Sequence, residues 1–199
     1  MSAPRRMRFA VLLLVAAAGC GDDEEEEKGL QSGLEGIHGI QTWTQNATGC
    51  DAEGQSVLET KQQKKLAVQI QSFGVQFLLV VPCTDAVDCA DALGAGPFAA
   101  LLGGAVFNEG SDSAGWVGAS TVWGFSEGRC LGKVLEHQLT GEAKETVRLE
   151  TRGFRVDIPA ESEAACDAET VEAAAASQPC EGLEVITGVY ENEPPPPPQ

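Results

Sequence analysis

Apolar and polar positions alternate with a period of two over several stretches of this chain. Leu66, Val68 and Ile70 alternate with Gln69 and Gln71, and Val75, Phe77, Leu79 and Val81 continue the period beyond Gly74. Successive side chains of a strand point to opposite faces, so this region predicts two strands, or one long strand bent at the glycine. From Trp116 the pattern returns, with Val117, Ala119, Thr121, Trp123 and Phe125 on one face. Between 146 and 158, Val147, Leu149 and Thr151 share one parity, while Phe154, Val156 and Ile158 share the other. A single slip at Arg152 and Gly153 is the signature of a β-bulge. Residues 37–46, 129–140 and 183–190 supply further strands.

Helical signals are confined to two short segments. Over 84–94, Thr84 is placed to cap a helix, Asp85 and Asp88 suit its positive end, and Gly94 can close it. Residues 167–177 are rich in Ala and Glu and end before Pro179. Residues 97–107 are apolar and read equally as helix or strand. Turn chemistry fills 47–54, 108–115, 126–128 and 141–144. Seven or eight strands in sequential hairpins predict a mainly β chain, an antiparallel up-and-down barrel or meander of lipocalin-like architecture with two short helices. Closing such a meander removes its exposed edges. An open β-sandwich is the alternative.

The N-terminus carries a different kind of information. Arg5, Arg6 and Arg8 precede an apolar run from Phe9 to Ala18, too short to span a membrane but suited to a secretory signal. Ala17, Ala18, Gly19 and Cys20 resemble the lipobox of bacterial lipoproteins, which implies removal of residues 1–19 and acylation of Cys20. Acyl burial contributes about 0.8 kcal/mol per CH₂, so two or three chains hold a domain on a bilayer lastingly. Residues 20–34 are expected to be an acidic, lipid-anchored tether, since Asp22 to Glu27 form an unbroken acidic run. Gly21 in place of Asp after the Cys implies outer-membrane sorting, facing periplasm or cell surface. Residues 35–191 are read as a single disulfide-stapled β domain, and 192–199, with five consecutive prolines, as a disordered polyproline tail.

Charge and cysteine content sharpen that picture. The 199 residues carry 13 basic and 30 acidic side chains, a net charge of −17. Loss of the signal arginines leaves ten basic residues and a charge of −20. Such a surface repels nucleic acid and anionic membrane, so the membrane is expected as partner through the acyl anchor alone. Without Cys20, six cysteines remain in a chain exported to an oxidising compartment, which predicts three disulfides. No C-x-x-C occurs, and neither a zinc knuckle nor a redox pair is supported. In a barrel the first and last strands are antiparallel neighbours, bringing Cys50 to Cys180. Cys130 opens a strand whose hairpin partner ends eight residues before Cys166, and Cys83 and Cys89 flank the start of the first helix. The competing pair, Cys166 with Cys180, would bridge a helix about 15 Å long.

Residues 39–46, 49–58, 77–83 with Cys89, 124–130 and 166–186 together resemble a family of six-cysteine bacterial lipoproteins to which no activity is attached. The resemblance supports the fold and implies no chemistry. The lipocalin Gly-x-Trp signature is not met, because Gly39 and Trp43 are four residues apart.

Sharper chemistry finds little support. Gly124, Ser126 and Gly128 match G-x-S-x-G but lie between strands, with His137 following too soon for a hydrolase triad. Residues 94–99 partly match a dinucleotide fingerprint without the βαβ unit it needs. His38 and His137 could meet across a sheet, yet no third metal ligand is evident and each reads better as a strand residue. Asp51 with Glu53, and Asn108 with Glu109 and Asp112, lack EF-hand spacing. No cofactor or catalytic constellation is expected. The leading expectation is a lipid-anchored, non-catalytic barrel binding a small apolar ligand, with Trp43, Trp116, Trp123 and Phe125 as its contacts. The alternative is a structural or protein-interaction lipoprotein whose barrel is filled.

Overall fold

The computed structural model describes residues 30–142 and 145–192. Its elements are β1 (Gly36–Asn46), β2 (Gln55–Ser56), β3 (Lys65–Phe73), β4 (Val75–Cys83), α1 (Ala86–Gly94), a 3₁₀ segment (Gly96–Leu102), β5 (Ala105–Phe107), β6 (Glu109–Ser111), β7 (Gly115–Ser126), β8 (Arg129–Glu142), β9 (Thr146–Pro159), α2 (Ala168–Ala175) and β10 (Cys180–Asn192). The chain is mainly β, as the alternation predicts. Strand order is β5-β4-β3-β1-β10-β9-β8-β7-β6, with β2 on β1. This is the order of an up-and-down meander whose first and last long strands are paired, and the open seam falls at the three-residue strands β5 and β6. Very short edge strands offer little template for edge-to-edge pairing.

The described residues form two compact units. In the larger (30–120, 135–154 and 179–192), β1 and β10 run antiparallel from Ile37 opposite Asn192 to Asn46 opposite Leu183. That register brings Cys50, just past β1, to Cys180 at the start of β10, and the two are joined. Across the seam of the strand order, the Val106 carbonyl of β5 lies so close to Gly118 of β7 that no Cβ fits there. The sheet of this unit is therefore nearly closed. Its inner face is filled by Trp43, Leu66, Val68, Leu78, Val80, Phe107, Trp116, Leu139 and their neighbours, all buried.

β3 and β4 bury both faces. Leu78 and Val80 point to the filled interior, whereas Phe77, Leu79 and Val81 lie in a second cluster with Cys89 and Leu93 of α1 and Ala99 of the 3₁₀ segment. The stripe Val75, Phe77, Leu79 and Val81 is thus the face that α1 covers. Its polar punctuation, Gln69 and Gln71, is buried too: Gln71 Nε2 donates to the Gln69 side chain at 3.1 Å and to the Leu93 carbonyl at 2.9 Å. The cap of α1 falls one residue later than the spacing suggests. Asp85 accepts from the amides of Val87 and Asp88, and Thr84 donates instead to the Asp88 carboxylate. Gly94 does not close the helix, because the chain passes directly into the 3₁₀ segment. The Cys83–Cys89 disulfide ties β4 to α1.

The smaller unit comprises 121–134 and 155–178 of the described residues. Its hairpin turns at Glu127 and Gly128, both with positive φ, the type I′ conformation that matches strand twist. The G-x-S-x-G match is this turn. Cys130 is joined to Cys166 across a Cα separation of 5.3 Å. Asp167 caps α2 by accepting from the Thr170 amide, which holds its carboxyl below the usual range. Val171 packs onto Gly132, and Glu172 accepts from Thr121 Oγ1 at 2.6 Å.

The parity exchange in β9 is present, with Val147 and Leu149 buried at odd positions and Val156 at an even one. The register irregularity lies on its partner: Cys180 opposes Phe154 and Gly182 opposes Gly153, so the extra residue is Glu181 of β10.

Candidate functional site

Trp43 and Trp116 belong to the filled interior of the larger unit, 4% and 1% exposed. Each indole N–H is spent on a carboxylate. Trp43 Nε1 donates to Glu184 at 2.6 Å, and Trp116 Nε1 donates to Asp112 at 2.9 Å. Lys61 stands 4.5 Å over the Trp43 ring and 3.6 Å from Glu184. A buried Trp whose polar edge is satisfied is a core anchor. Trp123 and Phe125 are half-buried residues of the smaller unit. The predicted stripe of Val117, Ala119, Thr121, Trp123 and Phe125 is inverted where it begins, in the larger unit: Trp116 is buried and Val117 is 49% exposed. The inward position after Trp116 is Gly118, because the Val106 carbonyl leaves no room there for a Cβ.

Both histidines sit in the larger unit and both are buried, not solvent-facing. His38 bonds the Leu34 carbonyl through Nε2 at 2.9 Å, and its pKa is lowered by burial against the opposing effects of that carbonyl and Glu191. His137 is bracketed by hydroxyls, Ser120 Oγ at 3.2 Å from Nε2 and Thr151 Oγ1 at 3.0 Å from Nδ1, with the Phe107 ring edge-on. Burial lowers its pKa to about 4.

Ser120, His137 and Thr151 have the chain of contacts of a nucleophile, base and orienter, and single-sequence reasoning overlooked it. The only available signal was that two successive hairpins fold three inward positions of β7, β8 and β9 to one level. The electrostatics oppose catalysis. A base protonating near pH 4 takes a serine proton poorly at pH 7, and a neutral Thr hydroxyl does not stabilise an imidazolium as a carboxylate does. The group is a part-buried polar link across three strands, and His137 also lines a surface depression of about 440 Å³.

Among the surface depressions of the larger unit, two bear on the site. One, of about 440 Å³, lies beside Val117, Glu136 and Arg152. The other, of about 690 Å³, is lined by residues 30–33, Glu35, Ile70 and Asp112. Asp112, a candidate calcium ligand by sequence, is already occupied: it accepts from Ser32 Oγ at 2.7 Å, the Gly33 amide at 2.5 Å and Trp116. Glu53 of the other candidate pair bonds Arg148 at 2.8 Å. Among the described residues no group of three His, Cys, Asp or Glu could hold a metal ion. No helix among them is long and apolar enough to cross a membrane. Cys20 and the acidic run lie outside the described residues, as do 193–199 of the proline tail. No family profile, curated protein or solved structure matches the chain.

Proposed function

We propose that this chain is a cell-envelope lipoprotein, acylated at Cys20, that acts through the surface of its β domain and not through a ligand held inside it. One observation carries the reading. The interior, where a lipocalin-like barrel would hold its ligand, is occupied by Leu66, Leu78, Phe107, Trp116 and Leu139, each at most 1% exposed. Ligand chambers bury most of a small molecule in several hundred cubic ångströms of preformed space, and these side chains take up that room. The depression lined by residues 30–33, Glu35 and Asp112 is open and mostly polar, which suits a protein surface better than a small apolar molecule. With 30 acidic residues against ten basic in the processed chain, the fitting partner is a basic protein surface. The signal-like leader, the resemblance of residues 17–20 to a lipobox and the acidic run support a position of that surface at a membrane.

A titration with an environment-sensitive apolar dye separates the two readings. The wild-type chain is expected to give no saturable fluorescence change, whereas Leu139→Ala, which opens space in the core, creates a binding site. Saturable binding to the wild type at one site per chain overturns the filled-barrel reading.

A further inference from the structure

The described chain begins at the tip of the β3–β4 hairpin. The Leu30 amide donates to Gln76 Oε1 at 2.7 Å, and Gln76 pairs with Ser72, one step from the turn Phe73, Gly74, Val75. Leu30 and Ile70 both pack on the core there. The 3₁₀ segment reaches the same end: Gln71 bonds Leu93, and Gly96 lies beside the Gln71 side chain. Two residues beyond these contacts stand Phe73, 68% exposed, and Phe98, 57% exposed. No other Phe, Trp or Tyr is among the large apolar side chains exposed in the described residues.

This end is also stripped of charge. In a chain with 30 carboxylates, residues 66–84 and 92–108 contain no Asp, Glu, Lys or Arg. Glu35 and Asp112, the acids around the point of entry, are turned to donors of the fold. Glu35 accepts from the Ile70 amide at 2.8 Å, and Asp112 holds Ser32, Gly33 and Trp116. Exposed aromatics beside uncharged backbone suit the boundary between lipid headgroups and acyl chains.

We propose that Phe73 and Phe98 rest in the bilayer that holds the acyl chains of Cys20, so that the hairpin tip is a second membrane contact. This rests on the acylation reading above. Ten peptide steps separate Cys20 from Leu30, which limits the anchor to at most about 35 Å from the tip. Two phenyl rings alone bind a membrane weakly. Tethered beside it, they meet lipid at a high effective concentration, and the contact becomes intramolecular. The domain is then held with the β3–β4 tip toward the lipid.

Photocrosslinking tests the contact on the full processed chain. p-Benzoylphenylalanine is placed at position 73, at 98, or at the control position 87, and the extracted protein is reconstituted into phosphatidylethanolamine and phosphatidylglycerol vesicles. Val87 is as exposed as Phe73 but lies at the opposite end of α1, beside Cys89 and the Cys83 end of β4. Lipid adducts are expected at 73 and 98 in several-fold excess over 87. Each sample is also weighed intact. Acylated protein without adducts at 73 and 98, with equal yield at 87, or with adducts to a second copy of the chain overturns the tip contact alone. Protein that carries no acyl group overturns the anchor and the contact together.

Discussion

Replacing Cys50 and Cys180 together by alanine is expected to cost this protein more stability than removing either of its other cross-links, about 5 kcal/mol on the loop-entropy relation for its separation of 130 residues. The bond joins the loop after β1 to the start of β10, the two strands that bring the ends of the described chain together. Without it, the unfolded chain regains the freedom of nearly the whole domain, while the folded state retains the β1–β10 ladder. The same relation gives about 2 kcal/mol for Cys83–Cys89, whose cysteines are six residues apart. Urea melts of the two double variants check this. Using double variants avoids a leftover reactive thiol. The expected order is a much lower midpoint for Cys50→Ala with Cys180→Ala. A reversed order would mean that local strand geometry, and not closure of the long loop, sets the stability.

Acid should destabilise the protein well before its carboxylates are fully protonated, and His137 is the reason. Its folded pKa of about 4 lies below the ordinary 6.5. Between those values the unfolded chain binds a proton that the folded chain refuses, so stability is complete above about pH 6.5 and falls as pH drops toward 4. The full span is about 3 kcal/mol at 1.36 kcal/mol per unit. His38 acts in the same direction, its pKa being lowered by burial. His137→Gln keeps an amide able to meet the Ser120 and Thr151 hydroxyls but cannot titrate. Its stability is expected to fall less steeply than wild type from pH 6.5 to 4, by roughly one proton's worth of slope. Parallel curves for the two proteins would show that His137 takes up its proton without cost, and so is not held neutral by burial.

The strand class, the pairing of first and last strands and the three disulfides were all legible, because they follow from alternation and hairpin succession. The second short helix was legible as an Ala- and Glu-rich run, whereas its cap, Asp167, emerges only from the structure. Orientation was the harder property. In β7 a period of two fits either face, and hydrophobicity favours the wrong one, since Val117 faces out and Gly118 faces in against the Val106 carbonyl. Only the nearby backbone of another strand explains a glycine on the inner face, and no local pattern reports it. In β4 the apolar residues at 77–81 are continuous because α1 covers the outer side, so an alternating stripe describes half of what is buried. The roles of Trp43 and Trp116 depend on carboxylates 141 and four residues away, Glu184 and Asp112. The aromatic count suggests a ligand chamber, whereas these partners make the two indoles part of the core.

Acylation of Cys20 underlies both the membrane position and the tip contact, and the mass of the N-terminal proteolytic peptide from membrane-extracted protein decides it. The expected peptide begins at Cys20 and carries a diacylglycerol thioether, with residues 1–19 gone. A peptide that begins elsewhere, or an unmodified Cys20, would contradict it.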